Sequence, residues 1–201
     1  MKLHVFSPSP NSRKVLFVDA YLDLGTDIEQ VDLPSGAQKG AEFLVLNPNG
    51  RVPVLELDDG STLWESNAIV NRLCAEVDTS LWPKSNQRYD IMRWQFWESC
   101  HWTPVCSPFI SHHLFGNTDV DLDAAAANLE PFAQVLDGHL SKQDWLSGPE
   151  MTAADISVSA IVCYREACHY PLQRYGNIAR WMDRIETLDV WQRVNPMPEA
   201  A

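Results

Sequence analysis

Asn47-Pro48-Asn49-Gly50-Arg51-Val52-Pro53-Val54-Leu55, followed shortly by Trp64-Glu65-Ser66-Asn67-Ala68-Ile69, decides the fold. The first stretch predicts a turn and then a short buried strand entered through a proline. The second predicts the end of another strand and a helix opened by polar residues. A proline inside an apolar run lacks a ladder donor and fixes φ, which argues against an ordinary central strand. The pattern makes sense when the bond before Pro53 is cis and the bend exposes neighbouring backbone. Backbone groups at Val52, beside a helix N-terminus at Ser66, then offer a site for a small peptide carrying a carboxylate.

Outward from this stretch, residues 2–6 alternate, with Leu3 and Val5 on one face, and predict a first strand. Residues 7–12 hold two prolines and three serines and predict a loop. Residues 13–24 carry helical apolar spacing and stop at Gly25; residues 28–33 predict a second strand. A short helix over 38–46 closes at Asn47-Pro48. Residues 52–57 and Thr62-Leu63 pair around Asp58-Asp59-Gly60, and a helix covers 66–77. The order is β-α-β-α-β-β-α.

Beyond a polar linker at 79–86, strand patterns vanish. Residues 87–113 predict one long helix, or two meeting at Pro104 or Pro108. Helices over 123–140, kinked or split at Pro131, then 152–168 and 172–187 follow. Thr152-x-x-Asp155 is a capping box that opens one of them and is structural. The expected division is therefore an α/β unit over 1–78, a linker over 79–86 and an all-helical unit over 87–201.

Three stretches together resemble one family. The residues from Asn47 to Leu55 and from Glu65 to Ile69, the segment Ser9-Pro10-Asn11-Ser12-Arg13-Lys14-Val15, and Leu146-Ser147-Gly148-Pro149-Glu150-Met151-Thr152-Ala153-Ala154-Asp155-Ile156 stand in the order found in glutathione S-transferases. The resemblance implies a thioredoxin-like N-terminal domain, an all-α helical-bundle C-terminal domain, glutathione as co-substrate with no metal, and a homodimer. It also implies a hydrophobic electrophilic small molecule as second substrate, in a detoxifying role.

Composition bounds the rest. The net charge of −12 argues against nucleic acid and against anionic lipid. Glutathione is itself anionic, so its site must be locally positive; Arg13, Lys14, Lys39 and Arg51 stand near it in sequence. Five cysteines without Cys-x-x-Cys spacing read as free thiols. With no signal sequence visible and no apolar run near the ~20 residues of a membrane span, a cytoplasmic protein is expected.

The chemistry to be explained is thiol ionisation, because the thiolate is the nucleophile and a free thiol has pKa ≈ 8.5. A hydroxyl donor aimed at sulfur, with a helix N-terminus behind it, stabilises the anion. Ser9 stands just ahead of a helix start, and in serine-type members the matching position carries the activating hydroxyl. Against this, Ser9 and Ser12 can be mere turn formers and caps, and that reading is preferred for Ser12. Asn11 is the rival: Ser-Pro-Asn-Ser also resembles the Thr-Pro-Asn-Gly loop of the bacterial nu class, although Ser12 departs from the glycine there. The resemblance implies glutathione contacts at Gln38, Lys39, Arg51, Val52, Pro53, Glu65 and Ser66. Exposed lysine and a simple N-cap are the structural alternatives for Lys39 and Ser66.

The second substrate is expected against the long helix, with His101, Trp102 and Cys106 as the pocket and Trp94 as core. His112-His113 is a poor metal site, because adjacent helical residues point apart. Cys100, Cys163 and Cys168 are expected to be buried small hydrophobes. The alternatives to a transferase are a nu-type glutathione-dependent disulfide reductase and a non-catalytic binding or regulatory protein of the same fold. Dehalogenase and isomerase activities share the scaffold.

Overall fold

The computed structural model describes residues 1–195; positions 196–201, the end of the expected second unit, lie outside them. β1 (Lys2–Val5), α1 (Pro10–Leu22), β2 (Asp27–Gln30), α2 (Ala41–Leu46), β3 (Val54–Glu56), β4 (Thr62–Trp64) and α3 (Ser66–Cys74) follow in the expected order. They build one sheet in the order β2-β1-β3-β4. β1 runs parallel to β2, as a crossover through α1 requires, and antiparallel to β3, while β3 and β4 form a hairpin. This is the thioredoxin-like arrangement. Among the described residues, the elements after it are all helices: α4 (Gln87–Trp97), α5 (Thr103–His113), α6 (Leu122–Leu140), α7 (Ala153–Val162), α8 (Gly176–Glu186) and α9 (Asp189–Val194).

The apolar face of β1 and α1 packs into a core that continues through α3 into the helical part, so Leu3, Val15, Leu55 and Ile69 share one cluster with Ile91, Trp94 and Ile161. A smaller cluster of Val31, Phe43 and Val54 seats α2 on the other side of the sheet. Helix α7 is buried on every side, and its composition of Ala, Ile, Val and Ser allows that. The capping box forms as expected, and Asp155 does more than cap. Its carboxylate accepts from the Thr152 N–H and hydroxyl, from the Leu146 N–H at 2.8 Å and from Trp181 Nε1 at 3.0 Å. Burial pushes Asp155 up to about 6, against the pull of those four donors.

Several boundaries differ from the sequence pattern, each for a local reason. α1 starts at Pro10, whose fixed φ suits the first helical position, so Ser9 is the N-cap residue. Ser12 lies inside the helix, buried, and its Oγ accepts from the Phe6 N–H at 3.1 Å. The expected helix over 38–46 is divided at Gly40, which is extended, into a tight turn (Ala37–Lys39) and α2. Pro131 stays within a single α6. Pro104 and Pro108 do not split the long helix either. The irregularity lies ahead of them, where Glu98–Trp102 forms a π-helical turn joining α4 to α5. No helix among the described residues is long and apolar enough to cross a membrane.

Candidate active site

The bond between Val52 and Pro53 is cis, as the sequence pattern suggested. The strand ladder begins at Val54, paired with His4 and Trp64, so Val52 stands ahead of it, on the wall of a cleft. That cleft, about 280 Å³, lies between the turn at 47–53 and the N-terminus of α3. Asn47 builds the turn. Its Nδ2 donates to the Arg51 carbonyl at 2.7 Å, and its Oδ1 accepts from the Asn49 N–H at 3.0 Å. Gly50 has φ +58, and a Cβ there would stand 2.8 Å from Lys39 Nζ and 2.9 Å from the Gln38 carbonyl. Only glycine both adopts this conformation freely and lets Lys39 cross the turn. Lys39 Nζ donates to the Asn49 carbonyl at 3.4 Å, at the edge of the cleft, beside Arg51 on its wall. Gln38 packs behind the turn rather than on the cleft wall, and its buried Oε1 has no partner.

The opposite wall is Glu65 and Ser66. Glu65 is the N-cap residue of α3 and holds φ 74, ψ 111, a conformation that costs a side-chain-bearing residue on the order of 1–3 kcal/mol. It is exposed, so its carboxylate is available to a cation in the cleft. Ser66 is not the cap but the first helical residue. Its hydroxyl donates to Asn11 Oδ1 at 3.2 Å and accepts from Lys14 Nζ at 3.3 Å. Lys14 in turn donates to Glu98 Oε2 at 2.8 Å. A chain of polar contacts thus runs from the π-helical turn to Asn11.

Asn11 and Arg51 also line a second, larger cleft of about 530 Å³. Ser9 opens on this second cleft, and its side chain makes no capping bond, so the hydroxyl is uncommitted. The walls are largely apolar: Phe6, Pro8, Pro10 and Leu33 on one side, Ile110, Leu114 and Phe115 at the end of α5, and Ile161 and Tyr164 at the end of α7. Thr103, Ser107 and Ser111 add a stripe of hydroxyl side chains along α5.

Three expected pocket residues stand elsewhere. Trp102 and Cys106 are fully buried core, and His101 stacks on Phe132 with ring centroids 5.2 Å apart. For Trp102 and Cys106 the π-helical turn just ahead of α5 accounts for the displacement. One inserted residue rotates the following helix by about 100°, so the positions one further along, Thr103 and Ser107, face the cleft. Trp94 is core, as its spacing suggested. Two of the four expected cations are engaged structurally rather than left for a ligand: Lys14 in its pair with Glu98, and Arg13 in bonds to Ser7, Cys163 and Asn195. Cys100 is exposed rather than buried. His112 and His113 are half-buried, edge to face, and His113 also packs against His169.

A polar cleft between the turn at 47–53 and the N-terminus of α3, and a larger, mostly apolar cleft that shares Asn11 and Arg51 with it, define a two-part protein in which a thioredoxin-like sheet and a set of helices line adjoining clefts. Comparison with known proteins narrows the class. Residues 8–76 match the family model for the glutathione S-transferase N-terminal domain, and residues 98–189 match that for the C-terminal domain. The chain is 34% identical over 165 residues to glutathione S-transferase 3 of Zea mays, covering 77% of this chain and 73% of that one. It is 26% identical over 192 residues to the disulfide-bond oxidoreductase YfcG of Escherichia coli K12, covering 90% of this chain and 88% of that one. A solved structure of a possible glutathione S-transferase from Rhodopseudomonas palustris superposes with a TM-score of 0.89 at 28% identity, covering 98% of both chains. The chain belongs to the glutathione S-transferase family, enzymes that use glutathione as co-substrate.

Proposed function

We propose that the protein is a glutathione transferase in which Ser9 activates the glutathione thiol for attack on an electrophile in the larger cleft. Glutathione lies in the smaller cleft, with its γ-glutamyl ammonium at Glu65 and its γ-glutamyl carboxylate at Ser66 and the N-terminus of α3. The cysteinyl part pairs with the Val52 backbone beside Pro53, and the glycyl carboxylate meets Lys39 and Arg51. The sulfur then falls where the two clefts join, at Asn11. The observation that carries the reading is that Ser9, with an uncommitted hydroxyl, lines the apolar cleft together with Asn11, which lines both clefts.

The energetics are adequate. Lowering a thiol pKa by about 2 units requires roughly 2.7 kcal/mol of differential stabilisation of the anion. A charge-assisted hydrogen bond supplies ~1.5–3 kcal/mol and the N-terminus of α1 ~0.3–1 kcal/mol. The thiol proton passes to solvent, the sulfur–carbon bond forms, and the leaving group departs with its electron pair. The protein contributes the pKa depression and the proximity. The unit boundaries at 78 and 86, a cytoplasmic location and a homodimer belong to the same proposal. Tyr89 and Phe96 on α4 and Val45 on α2 are exposed and give a second copy apolar surface to cover.

The deciding experiment is the ultraviolet thiolate absorbance of bound glutathione, titrated with pH on the wild type and on Ser9→Ala. A pKa well below 8 that the variant loses supports the reading; an ordinary thiol pKa in both rejects it. A second reading, glutathione-dependent disulfide reduction, is favoured by Asn11, which lines both clefts and so lies where two sulfurs would meet. A relative named as a disulfide-bond oxidoreductase is consistent with it. Turnover of a glutathione mixed disulfide, set against turnover of a chloronitroaromatic, separates the two.

A further inference from the structure

The segment Ser7-Pro8-Ser9 is held through a full set of backbone bonds. The Ser7 N–H donates to Gln30 Oε1 at 3.2 Å, and the Ser9 carbonyl accepts the first bond of α1 from the Arg13 N–H at 3.0 Å. The Ser9 N–H donates to the Phe6 carbonyl at 2.8 Å. The Pro8 carbonyl, the other half of that same peptide unit, accepts from the Tyr164 hydroxyl. Tyr164 arrives from the far end of the chain, just past α7. The Arg13 guanidinium lies 4.6 Å over its ring and donates through Nε to the Ser7 carbonyl at 3.1 Å. Arg13 Nη1 is itself anchored on Cys163 Sγ at 3.2 Å and Asn195 Oδ1 at 3.1 Å.

We propose that Tyr164, braced by Arg13, is a positioning residue that aims the Ser9 hydroxyl at the glutathione sulfur, an inference that rests on the reading of Ser9 as activator. The Pro8–Ser9 peptide plane is gripped at both ends, by Phe6 just past β1 and by Tyr164 just past α7. The orientation of that plane sets the φ of Ser9 and hence the direction of its Cα–Cβ bond, from which the staggered rotamers of the hydroxyl are reached. Pro8 has no N–H, so its carbonyl is the one backbone handle it offers. A hydroxyl that must bond a developing thiolate has a tolerance of about 0.5 Å, which a loop tethered from one side does not meet. Burial pushes the Tyr164 phenol up to about 12, so it stays a donor throughout the working range. Tyr164 also lines the larger cleft, so the residue that aims Ser9 borders the proposed second-substrate site as well.

The test is Tyr164→Phe, which removes the hydroxyl and keeps the ring under Arg13. The readouts are the thiolate titration of bound glutathione and kcat and KM for glutathione with a chloronitroaromatic, alone and in a Ser9→Ala background, with thermal melts as fold control. Tyr164→Phe is expected to raise the bound thiol pKa and lower kcat about 3- to 10-fold. KM for glutathione stays within about twofold, since Val52, Glu65 and Ser66 are untouched. In the Ser9→Ala background the same substitution adds nothing further. An unchanged thiol pKa in Tyr164→Phe, with Ser9→Ala shifted, overturns the positioning role and leaves the activator reading standing. An equal loss in both backgrounds overturns it too, because Tyr164 would then act through packing. A Ser9→Ala variant with an unshifted pKa removes the activator reading and this inference together. If Tyr164→Phe fails to fold, Arg13→Gln, which releases the Ser7 carbonyl and the ring brace, takes its place in the same comparison.

Discussion

Lys14 Nζ stands 2.8 Å from Glu98 Oε2, and each side chain is only 1% exposed, so an ion pair sealed from water joins α1 to the π-helical turn. Glu98 is otherwise satisfied by Asn67 Nδ2 at 3.0 Å and by the Thr103 hydroxyl, and Lys14 by Ser66. Removing one partner therefore strands a charge in a dry site. Glu98→Ala is expected to lose about 3–5 kcal/mol of stability, read from urea unfolding. The apolar pair Lys14→Met with Glu98→Leu should recover most of that loss, since well-packed apolar replacements of buried pairs are often neutral. A loss below about 1 kcal/mol in Glu98→Ala would mean that the pair behaves like a screened surface bridge.

Glu65 supplies the complementary case, a residue whose side chain is proposed to serve the ligand rather than the fold. It is exposed and its carboxylate holds no partner among the described residues, while its backbone is strained at φ 74. Glu65→Ala is expected to weaken glutathione binding about 10- to 100-fold, the worth of one charge-assisted contact, with the melting temperature nearly unchanged. Calorimetric titration with glutathione checks the first part and a thermal melt the second. Full-strength binding by the variant would remove Glu65 from the site.

The five thiols should divide sharply by reactivity. Cys100 is exposed, whereas burial pushes Cys74 up to about 12 and Cys163 and Cys168 up to about 11, and raises Cys106 as well. A thiol near 11 is only about 1% thiolate at about pH 9, so Cys74, Cys163 and Cys168 stay protonated at that pH. Maleimide labelling of the native protein is expected to modify Cys100 alone, with Cys100→Ser leaving it unlabelled. Mass spectrometry after digestion reads the outcome; early labelling of Cys74 or Cys106 would show that the core opens on that timescale.

The parts of the molecule legible in sequence are those written locally. Pro53 in an apolar run, the turn around Gly50 and the polar opening of α3 each carry their cause within a few residues. The sheet order and the smaller cleft follow from them. Asn47 and Asn49 were legible as turn formers, and their place on the cleft wall follows from the turn they build. What escaped depends on distant partners. Lys14 reads as a cation near an anionic ligand until Glu98, 84 positions away, is brought against it. Nothing near Tyr164 announces that its hydroxyl reaches Pro8. The electrophile face failed for a third reason, since helical spacing extrapolates correctly only through regular helix.

That failure yields the sharpest prediction. If α5 is rotated by the inserted residue, bulk added at Ser107 intrudes on the larger cleft, while bulk removed at His101 does not touch it. Ser107 is exposed on the cleft wall, its hydroxyl bonded back to the Thr103 carbonyl at 2.7 Å, so a larger side chain there fills open space rather than core. Ser107→Phe is expected to raise KM for a bulky aromatic electrophile by about tenfold and to leave KM for glutathione unchanged. His101→Ala should leave both unchanged. Cys106→Phe, one position back, should instead overpack the core and lower stability by about 1–3 kcal/mol whatever the substrate. Steady-state kinetics on two electrophiles of different size, with a melt on each variant, reads all three. An electrophile effect at His101 and none at Ser107 would place the wall on the face that unbroken helical spacing gives and would reject the rotation as the cause.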